Sequence, residues 1–279
     1  MPENLRPDSE PPFDDWRPDV PPERLSRALF DGALIRFCGL EPIERLARRA
    51  RTLVEEIFET ADPARAEAHM TPADFRQAAV RARKAVEQDA EVDQCWRASL
   101  AAIGHRSETC WLDRIKLRVV PSRKETHGRV IRPLPPHRDT WGSGIMAQIN
   151  WWLPLYSLAA GRTMLLWPRL FRQPIGNDSA EWDYDALMLG DRQDYPLLPV
   201  ATETPDEPGL PVLIEPGSLL AFSAAHVHAS TAAGSDLCRF SIDTRSAWVD
   251  DVRAGRGAPN VDGNARRIRW EWFSPPSLD

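Results

Sequence analysis

Apolar residues recur at helical spacing in the first hundred positions of the chain. Between Pro42 and Thr60 they repeat at three- and four-residue steps, which predicts a helix with one continuous apolar stripe. A second helix is expected to begin at Thr71, where a proline and an acid follow a capping residue, and to run to about Ala90. A further helical piece is predicted in 91–103.

From Trp111 onward the pattern changes to alternation with a period of two. Apolar and polar residues alternate from Leu112 to Val120 and again from Ile145 to Leu153, which is typical of strands with one polar face. Four further short strands are predicted at 163–167, 210–214, 219–227 and 238–244. Many short strands separated by turns indicate a β-sandwich or jelly roll, and helices that precede them indicate helices packed on one sheet.

The chain is predicted to form a single domain after a proline-rich N-terminal arm in residues 1–24. Three parts of that domain follow one another, a helical buttress, a strand-rich core and a C-terminal tail, which span 25–110, 111–250 and 251–279. Segment 168–209 interrupts the core with Gly, Pro, Asn and Asp. Such a long irregular stretch is either a lid over a functional site or a surface insertion.

Composition is that of an ordinary globular protein. Hydrophobic residues make up 42% and charged residues 27%, and the formal net charge of -6 gives no reason to expect nucleic acid. No apolar stretch approaches membrane-spanning length, and the N-terminal residues lack a signal-peptide pattern. The four cysteines include no close pair, which favours reduced thiols. We expect a cytoplasmic protein without a nucleic-acid or membrane partner.

Two side chains that can bind metal stand two residues apart, at His137 and Asp139. In an extended segment such residues point the same way, about 6.6 Å apart along the backbone. Neutral imidazole and carboxylate suit iron(II), and two histidines with one carboxylate leave three coordination positions open. An ordinary turn pair gives the same His-x-Asp pattern, so a metal site needs a third ligand from elsewhere.

The third ligand is expected in 222–230, an apolar, strand-like run that contains two histidines. His226 and His228 would share a strand face, but they stand too far apart along it to bind one ion together. His228 also precedes Arg239 by the length of a turn and a return strand, which would bring that guanidinium into the same cavity, where it can clamp a carboxylate. A buried ion pair between Arg239 and Asp243 is the alternative. We therefore prefer His228 as the ligand and place His226 behind the metal or facing the substrate.

Together these residues resemble a known family of enzymes. His137-x-Asp139, the distal His228 and Arg239 match the pattern of the iron(II)- and 2-oxoglutarate-dependent oxygenases. The resemblance covers roughly 111–250 and implies a double-stranded β-helix, a distorted jelly roll of the cupin-like kind. It also implies that the two histidines and the aspartate bind iron(II), and that the arginine binds the distal carboxylate of 2-oxoglutarate.

The region after the distal histidine is similar to one branch of that family. His228-Ala229-Ser230, followed by the segment from Arg239 to Arg245, resembles the phytanoyl-CoA-dioxygenase-like branch and its bacterial relatives. Many of those relatives carry Pro-Asn shortly after the His-x-Ser. Here Thr231-Ala232-Ala233 stands instead, which puts in doubt a polar contact in that turn but not the metal ligands.

Three residues of the strand after the His-x-Asp are further candidates. Gln148 and Asn150 lie on its polar face, where they could hydrogen-bond the co-substrate. Trp152 follows two positions later and is either a core residue or an aromatic wall for the substrate.

Arg245 shares a predicted strand face with Arg239 but lies six residues further along. The distance is about 20 Å at strand rise, so both cannot hold one molecule of 2-oxoglutarate. Arg245 is expected to form a structural ion pair, with Asp243 or Asp250, or to contact an anionic group of the substrate.

The leading functional hypothesis is an oxygenase that oxidises, most readily by hydroxylation, a C–H bond of a small molecule. Such an enzyme converts 2-oxoglutarate and dioxygen to succinate and CO2. A zinc- or other metal-dependent hydrolase or isomerase of the cupin type could use the same ligands, but it would need no Arg239. A non-catalytic β-sandwich binding module would not need histidines on its polar strand faces. Asp139 argues against a halogenase, because halogenases of this class lack the carboxylate.

Overall fold

The computed structural model describes residues 13–16, 20–189, 196–231 and 236–277. The helices of the described part are α1 (Pro22–Phe30), α2 (Glu41–Phe58), α3 (Pro72–Gln88), α4 (Ala90–Ala102), α5 (Thr140–Ser143), α6 (Tyr184–Leu189) and α7 (Val249–Arg253). The strands are β1 (Asp14–Asp15), β2 (Ile35–Phe37), β3 (Cys110–Asp113), β4 (Lys116–Val120), β5 (Ile149–Pro154), β6 (Met164–Trp167), β7 (Leu210–Pro211), β8 (Leu219–Ser223), β9 (Val227–Ser230), β10 (Arg239–Trp248) and β11 (Phe273–Ser274). Short 3-10 helices lie at Pro63–Ala68, Ser107–Thr109, Lys124–Thr126, Pro168–Arg172 and Trp270–Trp272.

The three long helices lie where the sequence predicts them, and polar side-chain caps set the starts of α3 and α4. The Thr71 hydroxyl accepts the Asp74 amide N–H and donates to the Asp74 carboxylate, which satisfies the first turn of α3. Asp89 caps α4 by accepting the Val92 amide N–H. The same carboxylate pairs with Arg49 of α2 at 2.6 Å, so this cap also ties α4 to α2.

Three elements at the N-terminal end were not predicted. Helix α1 and strand β2 form in 22–37, and β1 adds to β2 in parallel. Phe13, in the middle of the predicted arm, is buried in the apolar cluster between the sheets. The described part of the arm therefore contacts the core. The rest of the predicted arm includes 1–12 and 17–19, which lie outside the described residues.

A large mixed sheet carries most of the strands, in the order β1-β2-β8-β5-β10-β3-β11. Strand β10 is central: it pairs with β5 along one side and with β4 and then β3 along the other. The strand predicted over 112–120 is thus two strands, interrupted at Arg114 and Ile115. The strand predicted from Ile145 begins only at Ile149, because a turn closed by the Gln148 N–H to the Ile145 carbonyl precedes it.

Alternation along β10 separates the helix side of the sheet from a polar cavity. Phe240 and Ile242 belong to the apolar core that includes the long helices. Arg239, Asp243 and Arg245 line a cavity on the opposite face. This is the arrangement that a strand with a period of two dictates.

A smaller antiparallel sheet, β7-β6-β9, packs near the cavity side of the large one. Trp152, Leu220 and Phe222 of the large sheet share an apolar cluster with Met164 and Leu166 of the small sheet. Helices cover one side of the large sheet and a second sheet packs on the other, which confirms the predicted mixed α+β architecture.

Neither disulfides nor membrane spans contribute to the described part of the chain. All four cysteines are free, as predicted. Among the described residues, no helix combines the length and the apolar character that crossing a bilayer requires.

Candidate metal centre

The fold brings His137, Asp139 and His228 together. Each offers one ligand atom, and these atoms all lie within 4.8 Å of one another. His137 Nε2 is 3.6 Å from Asp139 Oδ1, and the two imidazole rings have centroids 4.1 Å apart. His137 and His228 face each other as an antiparallel bridge, with N–H to carbonyl distances of 3.0 and 2.9 Å. Directly opposed residues project side chains on the same face, which brings both rings to one point.

Backbone carbonyls fix the nitrogen that each histidine presents. His137 Nδ1 is 2.8 Å from the Pro135 carbonyl oxygen, and His228 Nδ1 is 3.0 Å from that of His226. A carbonyl oxygen only accepts, so each Nδ1 carries the hydrogen and each Nε2 keeps a lone pair for a metal ion. Burial, reinforced by the adjacent His228, lowers the pKa of His137, so its imidazole is neutral at neutral pH, as a ligand must be.

The carboxylate of Asp139 is oriented by two amides. Asn150 donates to its Oδ2 at 2.7 Å, and Gln148 Nε2 donates to Asn150 Oδ1 at 2.9 Å. Burial alone would raise the pKa of Asp139, but the nearby His228 and Arg245 and the Asn150 hydrogen bond keep it below its usual value. The group is therefore ionised, with Oδ2 held by the amide and Oδ1 facing the His137 imidazole.

The structure corrects the co-substrate role predicted for Gln148. Its side chain is fully buried and is not part of the cavity wall, because Gln148 precedes β5 in a turn. Asn150 does line the cavity, but its amide N–H is given to Asp139. Both residues therefore help to orient the Asp139 carboxylate, Asn150 directly and Gln148 through Asn150.

The three candidate ligands border a cavity of about 720 Å³. Trp152 and Phe222 form an apolar part of its wall. Tyr184 and 197–199 reach it from the segment predicted as a lid or insertion, and 271–274 reach it from the C-terminal segment. The description of 251–279 as a tail was therefore wrong: β11 pairs with β3, and this segment completes the cavity.

Arg239 is buried in the cavity wall without an acidic partner among the described residues. Its Nη1 donates to the Thr163 carbonyl at 2.6 Å and its Nη2 to Ser230 Oγ at 3.3 Å. Its Nε is buried with no partner in the described part of the chain, and its guanidinium lies 5.8 Å from the Trp152 ring centroid. Burial lowers the pKa of Arg239 to about 10, so the group is still a cation at neutral pH.

The alternative ion pair between Arg239 and Asp243 does not form. Asp243 pairs instead with Arg118 of β4, at 3.2 Å. Trp152, proposed from the sequence as a substrate wall, lies in the cavity but next to Arg239, which makes it a neighbour of the carboxylate anchor.

Arg245 forms an ion pair, but with a partner that the sequence did not predict. Its Nη2 is 2.5 Å from Asp113 Oδ2 at the end of β3, so Asp243 and Asp250 are not the partners. Strands β3 and β10 pair directly, which brings these two residues together. Lys116 Nζ also lies 2.5 Å from the same oxygen.

His226 does not face the substrate. It lies in the turn between β8 and β9, fully buried, where its ring contacts Phe171 and Phe222. Its Nδ1 is 3.2 Å from the Ser223 carbonyl oxygen and its Nε2 is 3.2 Å from that of Gly32. A turn at this point ends the regular strand, so His226 and His228 do not share a face as expected. His226 packs behind the site.

Arg138, between two metal ligands, is a residue that the sequence reasoning missed. It is 1% exposed, and its Nε is 3.1 Å from the Asp262 carboxylate. It also donates to the carbonyls of Leu170, Gln173 and Ala225. Arg138 therefore connects the start of segment 168–209 and the C-terminal segment to the stretch of chain that carries His137 and Asp139. The sequence does not select Asp262 as the partner of Arg138 among 41 acids.

Comparisons with known proteins found similarities to this chain among solved structures. No protein-family model and no curated protein match the chain. The non-heme monooxygenase ThoJ in its apo form is 17% identical over 74% of this chain and 70% of that chain, with a TM-score of 0.45. The epimerase SnoN, in complex with Fe3+, alpha ketoglutarate and nogalamycin RO, is 16% identical over 81% and 82%, with a TM-score of 0.44.

Two further structures complete this picture. EvdO2 from Micromonospora carbonacea var. aurantiaca, complexed with 2-oxoglutarate, is 14% identical over 68% of this chain and 69% of that chain, with a TM-score of 0.39. EvdMO1 is 20% identical over 59% of this chain but only 34% of that chain, with a TM-score of 0.37, so the described likeness spans about a third of it. Likenesses this distant do not assign a family, and the predicted phytanoyl-CoA-dioxygenase-like branch stays a prediction.

Proposed function

We propose that the chain is an iron(II)- and 2-oxoglutarate-dependent oxygenase that oxidises, most readily by hydroxylation, a C–H bond of a small molecule. Its core would be a double-stranded β-helix, with His137, Asp139 and His228 as iron ligands. Arg239 would bind the distal carboxylate of 2-oxoglutarate. The reaction would turn 2-oxoglutarate and dioxygen into succinate and CO2.

One observation carries the proposal. Two histidines and a carboxylate that can bind a metal ion share their cavity with the buried guanidinium of Arg239, which has no acidic partner among the described residues. The donor set leaves three positions open on an octahedral ion, two for a chelating keto acid and one for dioxygen. The guanidinium supplies a fork for a carboxylate. A zinc hydrolase or isomerase could use the same ligands but would leave Arg239 as a buried cation without a purpose.

The residues present fit such an ion and co-substrate. Iron(II), with 2-oxoglutarate and dioxygen, supplies the oxidant for C–H cleavage. His137 and His228 offer the Nε2 lone pairs, and Asp139 offers the oxygen that faces His137. Arg239 is pre-positioned by two hydrogen bonds, so binding a carboxylate costs it little side-chain entropy. Phe222 lies edge-on to the His228 ring at 5.3 Å and keeps water from that side.

A turnover assay tests the proposal. The protein supplied with iron(II) in air should convert 2-oxoglutarate to succinate slowly alone and faster with its true substrate, in a screen of amino acids and natural products. Zinc should support no turnover. Hydrolysis or isomerisation sustained by zinc, without 2-oxoglutarate, would contradict the proposal and favour the alternative.

A further inference from the structure

A second charged centre lies on the cavity wall, and it is not electrically balanced. Asp113 Oδ2 lies 2.5 Å from Lys116 Nζ and 2.5 Å from Arg245 Nη2, and Arg245 Nε donates to it at 2.6 Å. The Asp113 side chain is only 4% exposed. One buried carboxylate therefore holds two cations, which leaves this trio with a net positive charge.

Both cations are held in place where they meet the cavity. The Arg245 guanidinium lies 5.3 Å from the Trp272 ring centroid and 5.5 Å from that of Phe273. Its Nη1 has no hydrogen-bond partner in the described part of the chain. The Lys116 side chain is 39% exposed, and both residues line the cavity. The trio is thus a rigid donor group and not a closed ion pair.

The trio lies beside the metal ligands. Arg245 is opposite Asn150 in the pairing of β10 with β5, and Asn150 donates to Asp139. Lys116 and Arg245 meet at the same Asp113 oxygen, so two positive charges lie close together, and an anion bound there would relieve their repulsion.

No other acid of the described cavity wall can neutralise the trio. Outside the metal ligands, each has its own cation: Glu87 has Arg83 at 3.3 Å, Asp243 has Arg118 at 3.2 Å, and Glu271 has Arg269 at 3.2 Å. With the proposed function, the charges of iron(II), Asp139, the 2-oxoglutarate dianion and Arg239 cancel. The positive charge of the trio then remains for the substrate.

We propose that the substrate carries an anionic group, a carboxylate, phosphate or sulfate, and that Lys116 and Arg245 bind it beside the metal. This inference rests on the proposed oxygenase function and names its substrate class. Charge-assisted hydrogen bonds from an ammonium and a guanidinium would fix the substrate end that is not oxidised.

Sulfate is a suitable probe in the full chain loaded with nickel(II) and 2-oxoglutarate, because the co-substrate then occupies Arg239. Titration at constant ionic strength, followed by calorimetry and by tryptophan fluorescence, should show saturable binding. Lys116→Gln should weaken it by about tenfold, the loss of one charge-assisted bond, and Lys116→Arg should restore it. Arg114→Gln is the matched control, since Arg114 is an exposed cation of the same wall without an ion pair among the described residues.

Two readouts separate this inference from the function on which it rests. Anaerobic iron(II) with 2-oxoglutarate should give a visible chelate absorption band in wild type and in Lys116→Gln alike. If the band forms but sulfate binds equally to wild type and Lys116→Gln, or Arg114→Gln loses as much, the trio is structural and the inference is overturned while the oxygenase proposal stands. Absence of the band in wild type overturns both.

Discussion

The cavity has two halves that are built differently. In one half the functional groups come from strands: Asn150, His228 and Arg239 lie on β5, β9 and β10, whose register is fixed by backbone hydrogen bonds. In the other half the wall comes from Tyr184, 197–199 and 271–274, outside the central strands. The first half orients its groups with backbone carbonyls and amides. The second combines the pairing of β11 with β3 and side-chain contacts, such as the tilted ring contact of Tyr184 with Trp272, whose centroids lie 5.2 Å apart.

This difference in construction indicates that the two halves serve different functions. Metal and co-substrate chemistry needs ligands held to a fraction of an ångström, and strands supply that precision. Recognition of a particular substrate needs a surface that can change without loss of the fold, and connecting segments tolerate such change. We therefore expect changes in the strand half to abolish chemistry and changes in the other half to alter specificity.

The largest effect is expected from removing a candidate metal ligand, Asp139, which directly precedes α5 and whose carboxylate accepts a hydrogen bond from Asn150 of β5. Asp139→Ala should weaken iron(II) binding by more than the roughly 10- to 100-fold that loss of a supporting hydrogen bond costs. Asn150→Ala removes such a supporting bond and should fall within that range. Calorimetric titration with iron(II) under anaerobic conditions measures both. Equal affinities of wild type and Asp139→Ala would remove Asp139 from the metal site.

The second-largest effect is expected from breaking the ion pair that connects the two halves. Arg138→Met leaves the buried Asp262 carboxylate without its cation, and losing one partner of a buried pair typically costs about 3–5 kcal/mol. The free energy of unfolding in urea should fall by that amount. The double variant Arg138→Met/Asp262→Asn should recover part of it. A loss below about 1 kcal/mol would show that the halves are not coupled through this pair.

Acid should lower the free energy of unfolding, because a histidine is buried where the helices pack against the large sheet. His105 is fully buried against Trp151 and Trp248, and burial lowers its pKa to about 4. The unfolded chain has the ordinary value of about 6.5, so it binds more protons between these values and stability falls as pH drops through that window. The stability present above pH 6.5 should decrease by up to about 3 kcal/mol by pH 4.

His105→Phe isolates this contribution. The variant should lose that part of the pH dependence, whatever its stability at neutral pH. Urea unfolding of both proteins at several pH values measures it. The same slope in both would assign the acid sensitivity to other groups.

Arg239→Ala should affect the co-substrate and leave the metal nearly unchanged. Loss of a partly buried guanidinium–carboxylate pair is worth about 2–3 kcal/mol, or roughly 30- to 150-fold in the 2-oxoglutarate requirement. The Michaelis constant for 2-oxoglutarate measures the change, with iron(II) affinity as the internal control. An unchanged constant would place the anchor elsewhere, with Arg118 the next candidate on the cavity wall.

The smallest effect is expected in segment 168–209 of the second half, which the sequence predicts to be either a lid or a surface insertion. Its start is anchored through Arg138, and 190–195 lie outside the described residues. A lid predicts a change in protease sensitivity. Proteases should cut it in the free protein, and cleavage should slow a few-fold once iron(II), 2-oxoglutarate and substrate are bound. Unchanged cleavage at saturation would favour a static insertion.

The strand half is also the half that the sequence could predict. A period of two assigns Arg239 to the polar face of its strand, and two histidines with an aspartate have few reasons to occur on such faces together. The spacing that separates His228 from Arg239 needs only a turn. These are local rules, so they operate without knowledge of the strand order.

The rest depends on contacts between distant parts of the chain. The pairing of Arg245 with Asp113 needs the register of β10 on β3, and that of Arg138 with Asp262 needs the path of the C-terminal segment. Many acids could serve either arginine, so no spacing rule selects one. Gln148 was misassigned because Ile145 continues the alternation through what is a turn. Apolar periodicity does not distinguish a strand from a buried turn.

The central claim is that one cavity binds iron(II) and 2-oxoglutarate together, and an anaerobic absorption spectrum tests it most directly. Addition of 2-oxoglutarate to the iron(II)-loaded protein should produce a visible charge-transfer band with one equivalent at saturation. His228→Ala should abolish the band, and Arg239→Ala should shift its formation to higher 2-oxoglutarate. A wild-type protein that binds iron(II) and gives no band at any 2-oxoglutarate concentration would contradict the account.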